Sequence, residues 1–426
     1  MTAKNFIRIL VVVAIIGAVI YLQSGKSKPV LTNALSNPEI PSSVAIDNST
    51  KFAETSTVPI STSTPVFPKS KTTKKNPLLT AVLPPAPAPA PAAADRVATK
   101  EQLFPRVKEI VLPSGFINTT NNFRLAPIVG KKVILVDFWT YSCINCIRTQ
   151  PYLNAWYEKY KSAGLEIVGM HTPEFDFEKI YDNVKAAVTR DHINYPVVLD
   201  NDQGTWSAYG NRFWPRRYLI DIDGYIVLDQ IGEGGYEDLE IAIQKALAER
   251  ASVLRVAQAI PTGVVHPQMG SDAQTGEVIS PETYFGASRN RFLANGAIGV
   301  EGDAAFTATS SGAQLNKFSL DGTWHFAPEY AENRSAPARL IYRYRAKNVY
   351  FVASAATSTR ITILRDGVPL SVALAGEDVQ MKKGAASATI KDNRLYKLIK
   401  EGDTSEHTLE INIPTPGLRA FTFTFG

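Results

Sequence analysis

Apolar residues run from position 9 to 22, broken only by Gly17 and Tyr21. Phe6 and Ile7 lengthen the run, Lys4 and Arg8 precede it, and the Arg8 stem can snorkel toward the membrane surface. The pattern is that of a signal sequence or signal anchor. No small-x-small cleavage site follows, which favours an uncleaved transmembrane anchor over residues 1–28. Basic residues ahead of the run place the N-terminus in the cytoplasm, against the weaker pull of Lys26 and Lys28 on the other side. The chain is therefore expected in the cytoplasmic membrane as a single-pass protein whose folded parts face the extracytoplasmic side. From 29 to 100 the apolar pattern disappears. Ser, Thr, Pro, Ala and Lys dominate, too little apolar surface to offset chain entropy, and PPAPAPAP at 84–91 adds a stiff stretch. This segment reads as a disordered tether, reaching roughly 50 Å on average.

Ordered periodicity starts after 100. Val133–Trp139 (VILVDFW) is apolar except for Asp137, as in a central strand covered on both faces. Beyond Cys143 the apolar residues Ile144, Ile147, Leu153, Trp156, Tyr157 and Tyr160 fall at helical spacing. Residues 166–171 read as a strand, 176–190 as a helix and 195–199 as a strand. Residues 217–222 and 225–232 form a hairpin around Asp223-Gly224, and 236–256 makes a closing helix. A parallel start with an antiparallel finish makes an α/β domain over 101–260. Residues 261–283, irregular and holding Pro261, Gly263, Pro267 and Gly270, read as a linker. From 284 to 426 only short strands recur, at 338–346, 348–353, 360–365, 407–413 and 420–425, with a turn at Asp366-Gly367. They imply an all-β sandwich.

The net charge of +5 comes partly from Lys69, Lys71, Lys74 and Lys75, inside the tether. No basic face with interleaved aromatics accompanies them, which argues against nucleic acid as a partner. The 426 residues hold two cysteines, Cys143 and Cys146. Disulfide-stapled folds spread their cysteines, structural zinc wants four ligands, and haem attachment wants His where Ile147 stands. The reading calls for no metal and no cofactor. The thiols themselves are the candidate chemistry.

Cys143 lies where the strand hands over to a helix N-terminus, where free N–H groups and the helix dipole favour a thiolate. Cys146 lies one turn further in, on the same face. Cys143 would attack a partner disulfide as nucleophile, and Cys146 would resolve the mixed disulfide, closing the Cys143–Cys146 redox disulfide. Asp137, a carboxylate in an apolar strand, is costly without a task; desolvation would raise its pKa and suit it to take the proton of the inner thiol. Its plain alternative is a buried acid bonded to backbone.

Residues 101–260 resemble the thioredoxin superfamily, through Val136-Asp137-Phe138-Trp139, Cys143-x-x-Cys146 and Pro151. Trp214-Pro215 resembles the family's cis-proline loop. The resemblance implies a cis peptide there and makes Trp214, Pro215 and Trp139 substrate-binding. Ile144-Asn145 stands where Gly-Pro is usual, which leaves the potential open. The added helix and strand between 169 and 199 resemble the tethered TlpA and ResA-like proteins and the redoxins. In some of these an acidic residue of the insert nears the disulfide, as Glu174 would here; a solvated loop is the alternative. His171 reads as an ordinary polar residue ending a strand. His171-Thr172-Pro173-Glu174-Phe175, Trp214-Pro215-x-x-Tyr218-Leu219-Ile220-Asp221 and Gly232-Glu233-Gly234 resemble the soluble part of DipZ proteins. So does the C-terminal region, with its ending FTFTFG, which likens it to carbohydrate-binding modules of jelly-roll topology. DipZ proteins carry a polytopic electron-transfer domain, replaced here by one anchor and a tether. The resemblance thus implies a separate membrane electron donor of the DsbD or CcdA type.

Three functions compete. The first is a protein thiol–disulfide oxidoreductase, acting on protein thiols and disulfides. The second is a redoxin-type thiol peroxidase, since Thr140-x-x-Cys143 matches a peroxidatic T-x-x-C, although Val136 stands where its upstream proline would be. The third is a cell-surface glycan-binding protein with an accessory redox domain, in which Trp324, Tyr330 and Tyr342 could stack on sugars or equally serve as core.

Overall fold

The computed structural model describes residues 93–267, 279–382 and 384–426. The expected anchor and nearly all of the expected tether lie outside the described residues. The tether's last residues do not: Ala93–Leu103 is a helix (α1). Lys100 Nζ lies 2.6 Å from Asp221, 2.8 Å from Asp223 and 2.6 Å from Glu249, and Arg96 pairs with Asp223 at 2.8 Å. A weakly amphipathic segment is thus docked by charge on the hairpin turn and the closing helix, partners that its local composition does not reveal.

The α/β part carries six strands: β1 (Gly115–Ile117), β2 (Val133–Trp139), β3 (Leu165–His171), β4 (Val197–Leu199), β5 (Arg216–Ile220) and β6 (Ile226–Ile231). Their order is β1-β4-β3-β2-β5-β6, with β2, β3 and β4 parallel and the rest antiparallel. The helices α2 (Ile144–Tyr160), α3 (Tyr181–Arg190), α4 (Gly204–Ala208) and α5 (Tyr236–Leu254) complete it. All seven residues of β2 are buried, as a central strand requires. Its alternation sorts them: Val133, Leu135 and Trp139 pack in one core with α2 and α5, and Ile134, Val136 and Phe138 in another. Asp137 shares the parity of the first set.

The expected helix over 176–190 is split. Asp176–Lys179 is a 3₁₀ turn, Ile180 is extended at φ −76° and ψ 115°, and α3 starts at Tyr181. Buried Glu178 folds back onto the Glu174 and Phe175 N–H groups and closes the first turn separately. The strand at 195–199 begins only at Val197, while the Pro196 carbonyl accepts the Gly169 N–H at 2.9 Å.

The C-terminal part is β-rich: eleven strands in one antiparallel sheet. Several expected short strands are segments of longer ones. One strand, Ala338–Ala355, unites two of them, pairing with the 20-residue strand Arg394–Ile413. A register shift between Ala346 and Asn348 reverses the alternation. Leu340, Tyr342, Tyr344 and Ala346 face the β-rich core before it, and Val349, Phe351 and Ala353 after it. Beyond the shift the other face is covered too, because Tyr350 and Val352 join the core of the α/β part, along with Leu395 and Phe421. Phe421 lies 4.7 Å from Phe177 and 5.3 Å from Phe175, edge to face. The expected linker is partly built in, too: Ser280 is buried against Arg345, and Thr283–Tyr284 (β7) pairs with the last strand. Trp324 and Tyr342 are fully buried, so they are core and not available for stacking on sugars. Tyr330 packs 5.4 Å from Phe421 under Arg419.

Candidate active site

Cys143 is the N-cap of α2 at φ −80° and ψ 118°, and its Sγ accepts the Cys146 N–H at 3.3 Å. Both are free thiols in the structure, Cys143 half-buried and Cys146 buried. Pro151 stands inside α2, as the sequence implied. Cys143 opens into a cleft of about 340 Å³. Asn145, Glu174 and Trp214 line it from the α/β part, and Glu282, Tyr284 and Phe425 from the β-rich part. Burial pushes the Cys146 thiol well up, with the neighbouring Cys143 and Asp137 adding to the rise.

Asp137 lies beneath, 1% exposed, with Oδ1 lacking a hydrogen-bond partner. Desolvation raises its carboxyl to about 7, against a smaller downward pull from Arg217. The plain alternative, a buried acid satisfied by backbone, does not describe that bare oxygen. The Trp214–Pro215 bond is cis. Trp214 lines the cleft, packs against Trp206 with ring centres 4.3 Å apart and donates its indole N–H to the Thr172 carbonyl at 3.1 Å. Pro215 is buried, its carbonyl accepting the Gly232 N–H. Trp139, expected to bind substrate, is 2% exposed and packs beside Gly169 and His171, a core residue beneath the site.

Glu174 does reach the cleft, but not as a free acid or a solvated loop residue. Its Oε1 accepts from Tyr284 Oη and Arg289 Nη1, both at 2.7 Å. A carboxylate of the insert is therefore held by side chains more than a hundred residues away. Below it, fully buried Glu178 accepts from Ser142 Oγ at 2.6 Å, next to Cys143, and burial raises its carboxyl to about 7. His171 is more than an ordinary polar residue. It is fully buried, stacked 5.7 Å from Tyr141, with its pKa lowered to about 3 by burial. Thr140 of the T-x-x-C pattern is buried, its hydroxyl 3.4 Å from His171 Nε2. Besides Glu282, Tyr284, Arg289 and Phe425 from the β-rich part, two members of the site went unnoticed in the sequence. Glu178 carried no signal there. Arg217 did carry one, as a cation inside Arg216–Ile220 with the parity of core residue Leu219.

Comparison with known proteins agrees with this geometry. Residues 101–243 match the family model described as Redoxin, and residues 280–426 the one described as Thioredoxin like C-terminal domain. The thiol-disulfide oxidoreductase ResA of Bacillus anthracis is 35% identical over 133 residues, 29% of this chain and 74% of ResA. The chain belongs to the thioredoxin-like thiol–disulfide oxidoreductases. Protein DipZ of Mycobacterium tuberculosis is 34% identical over 315 residues, 74% of this chain. The chain spans 42% of the length of that relative. A solved thioredoxin domain of a thiol-disulfide oxidoreductase from Bacteroides vulgatus is 26% identical, covering 33% of this chain and 96% of its own, at a TM-score of 0.28. Among the described residues no helix is long and apolar enough to cross a membrane, and no His, Cys, Asp and Glu cluster could hold a metal ion.

Proposed function

We propose that this enzyme is a membrane-anchored, extracytoplasmic exchanger of protein disulfides, working through its Cys-Ile-Asn-Cys site. Cys143 attacks the substrate disulfide, Cys146 resolves the adduct, and Asp137 takes the Cys146 proton. The observation that carries this reading is the layering of the site. One sulfur opens to a cleft, the second lies one turn below it, and a carboxyl raised to about 7 sits on the same face. A group with that acidity can accept and return a proton near neutrality. The cleft beside Trp214 and the cis Pro215 loop is where an extended peptide would lie.

The anchor rests on the apolar run at 9–22 behind Lys4 and Arg8, and the tether, now shortened to 29–92, on its composition. The redox domain at 101–260 takes in the docked helix Ala93–Leu103, and the β-rich domain at 284–426, for which a jelly-roll sandwich is proposed, takes in residues 280–283 from the end of the 261–283 linker. A membrane donor of the DsbD or CcdA type would return electrons, as the likeness to DipZ proteins implies. A glycan remains the ligand proposed for the C-terminal domain by its likeness to carbohydrate-binding modules.

Trapping tests the assignment. Cys146→Ser should accumulate mixed disulfides through Cys143, visible as reducible adducts on non-reducing gels, and Cys143→Ser should abolish them. Adducts that form equally well without Cys143 refute it. Rapid consumption of hydrogen peroxide by the wild type would favour the peroxidase instead.

A further inference from the structure

Arg217 is an oddity of this core. It is fully buried, one of the largest side chains with no exposure. It stands opposite Asp137 across the β2–β5 ladder. Directly opposed residues of an antiparallel pair have Cβ atoms about 5 Å apart. On the other side of Asp137 the ladder offers only Gly169, where a Cβ would meet Trp139 Nε1 at 2.9 Å. The guanidinium is fixed from behind. Its Nη2 donates to the carbonyls of Gly232 and Gly234, and its face lies 5.4 Å from the centre of the Tyr236 ring. Gly232 and Gly234 adopt φ of +77° and +86°, a conformation that strains other residues. That accounts for the Gly-Glu-Gly string. Arg217 Nε and Nη1 remain without hydrogen-bond partners, as does Asp137 Oδ1. An arginine left partly unsatisfied in the core is expensive as structure alone.

We propose that Arg217 is the fixed counter-charge of the resolving step, holding the one negative charge that passes between Asp137 and the Cys146 sulfur. This rests on the roles given above to Cys143, Cys146 and Asp137. In the step, the Cys146 S–H proton goes to the Asp137 carboxylate. The Cys146 sulfur attacks Cys143 Sγ, the Cys143–Cys146 bond forms and the Cys143–substrate S–S bond breaks. The electron pair leaves on the substrate sulfur, which takes the proton back from Asp137 through solvent. The substrate is reduced by two electrons and the cysteine pair oxidised by two. Until the substrate sulfur departs, and again once it has taken the Asp137 proton, one negative charge exists in a buried space, and a permanently charged guanidinium opposite it offsets its desolvation. The other ionisable groups around this space are Cys143 on α2, Tyr195 before β4, Tyr236 on α5, and Glu233 on the loop before α5. Glu233 is paired with Arg148 at 2.8 Å. None of these supplies a second unpaired cation. Arg217 is a positioning residue: it acts through Asp137 and Cys146.

The two thiol steps separate in a stopped-flow reaction of the full-length reduced protein with 5,5′-dithiobis(2-nitrobenzoate). The first thionitrobenzoate is released by attack of Cys143, the second by resolution. In Arg217→Met the first phase should keep its pH profile within twofold. The second should be about tenfold slower at pH 7, with its midpoint at least one pH unit higher. Arg217→Lys, which keeps the charge, should restore the second phase to within threefold. An unmoved second-phase midpoint in folded Arg217→Met overturns the proposal. Should that variant fail to fold, a folded Arg217→Lys whose second-phase midpoint rises by a unit or more overturns it instead, and an unmoved midpoint there supports it. A second phase that survives in Cys146→Ser refutes the underlying assignment, whatever the arginine variants do.

Discussion

Replacing Asp137 by Asn should make the protein more stable and a poorer exchanger, with the stability gain dependent on pH. The carboxyl moves from an ordinary 3.8 to about 7 on folding, chiefly by desolvation. Between those values the native state holds a proton that the unfolded state has lost. The unfolded chain binds fewer protons, so stability falls as pH rises from about 4 to 7, and the deficit is constant above. A shift of about 3 units corresponds to about 4 kcal/mol. Asn mimics the protonated acid in size and charge, so Asp137→Asn should gain up to about 4 kcal/mol at pH 8, less at pH 6, and nothing near pH 4. Urea unfolding of the reduced protein at these three pH values measures it. His171 and Glu178 also titrate, but they contribute equally to both proteins and cancel in the difference. The same variant should slow the second thionitrobenzoate release while sparing the first. A loss of stability that is the same at every pH would refute the reasoning, because it would mean that the carboxylate is satisfied in the fold.

Two further outcomes follow from burial. His171 is lowered from 6.5 to about 3, so its native state refuses a proton that the unfolded state takes; stability is complete above about 6.5 and lost as pH falls. That loss should reach about 3 kcal/mol by pH 4.5, and His171→Phe should abolish this part of the acid sensitivity in urea titrations. Phe421→Ala removes the ring wedged against Phe175 and Phe177 and should cost about 3–5 kcal/mol, with faster hydrogen exchange over 174–180 as its local signature.

Much of the catalytic half is legible in the chain itself. A seven-residue apolar run, a thiol pair three apart and helical spacing after it are local properties. That is why β2 and α2 lie where the pattern predicts; the Trp214–Pro215 loop was legible only through the family resemblance. Where local signals met long-range contacts, the expectation missed. Ala93–Leu103 looks like tether until Asp221, Asp223 and Glu249 are placed beside Lys100. The helix over 176–190 breaks because Glu178 is buried. The resemblance made Trp139 substrate-binding, yet it closes a strand buried on both faces and lies beneath the site.

What the sequence alone determined was which side of each element is apolar and how far apart the two sulfurs could lie. Tertiary structure decided what those sides meet. It set Arg217 against Asp137, clasped Glu174 with Tyr284 and Arg289, and made strand residues from beyond position 280 a wall of the Cys143 cleft. The reason is physical: alternation follows from backbone geometry one residue at a time. The acidity of a buried group depends on every charge and every excluded water around it, and those come from all parts of the chain.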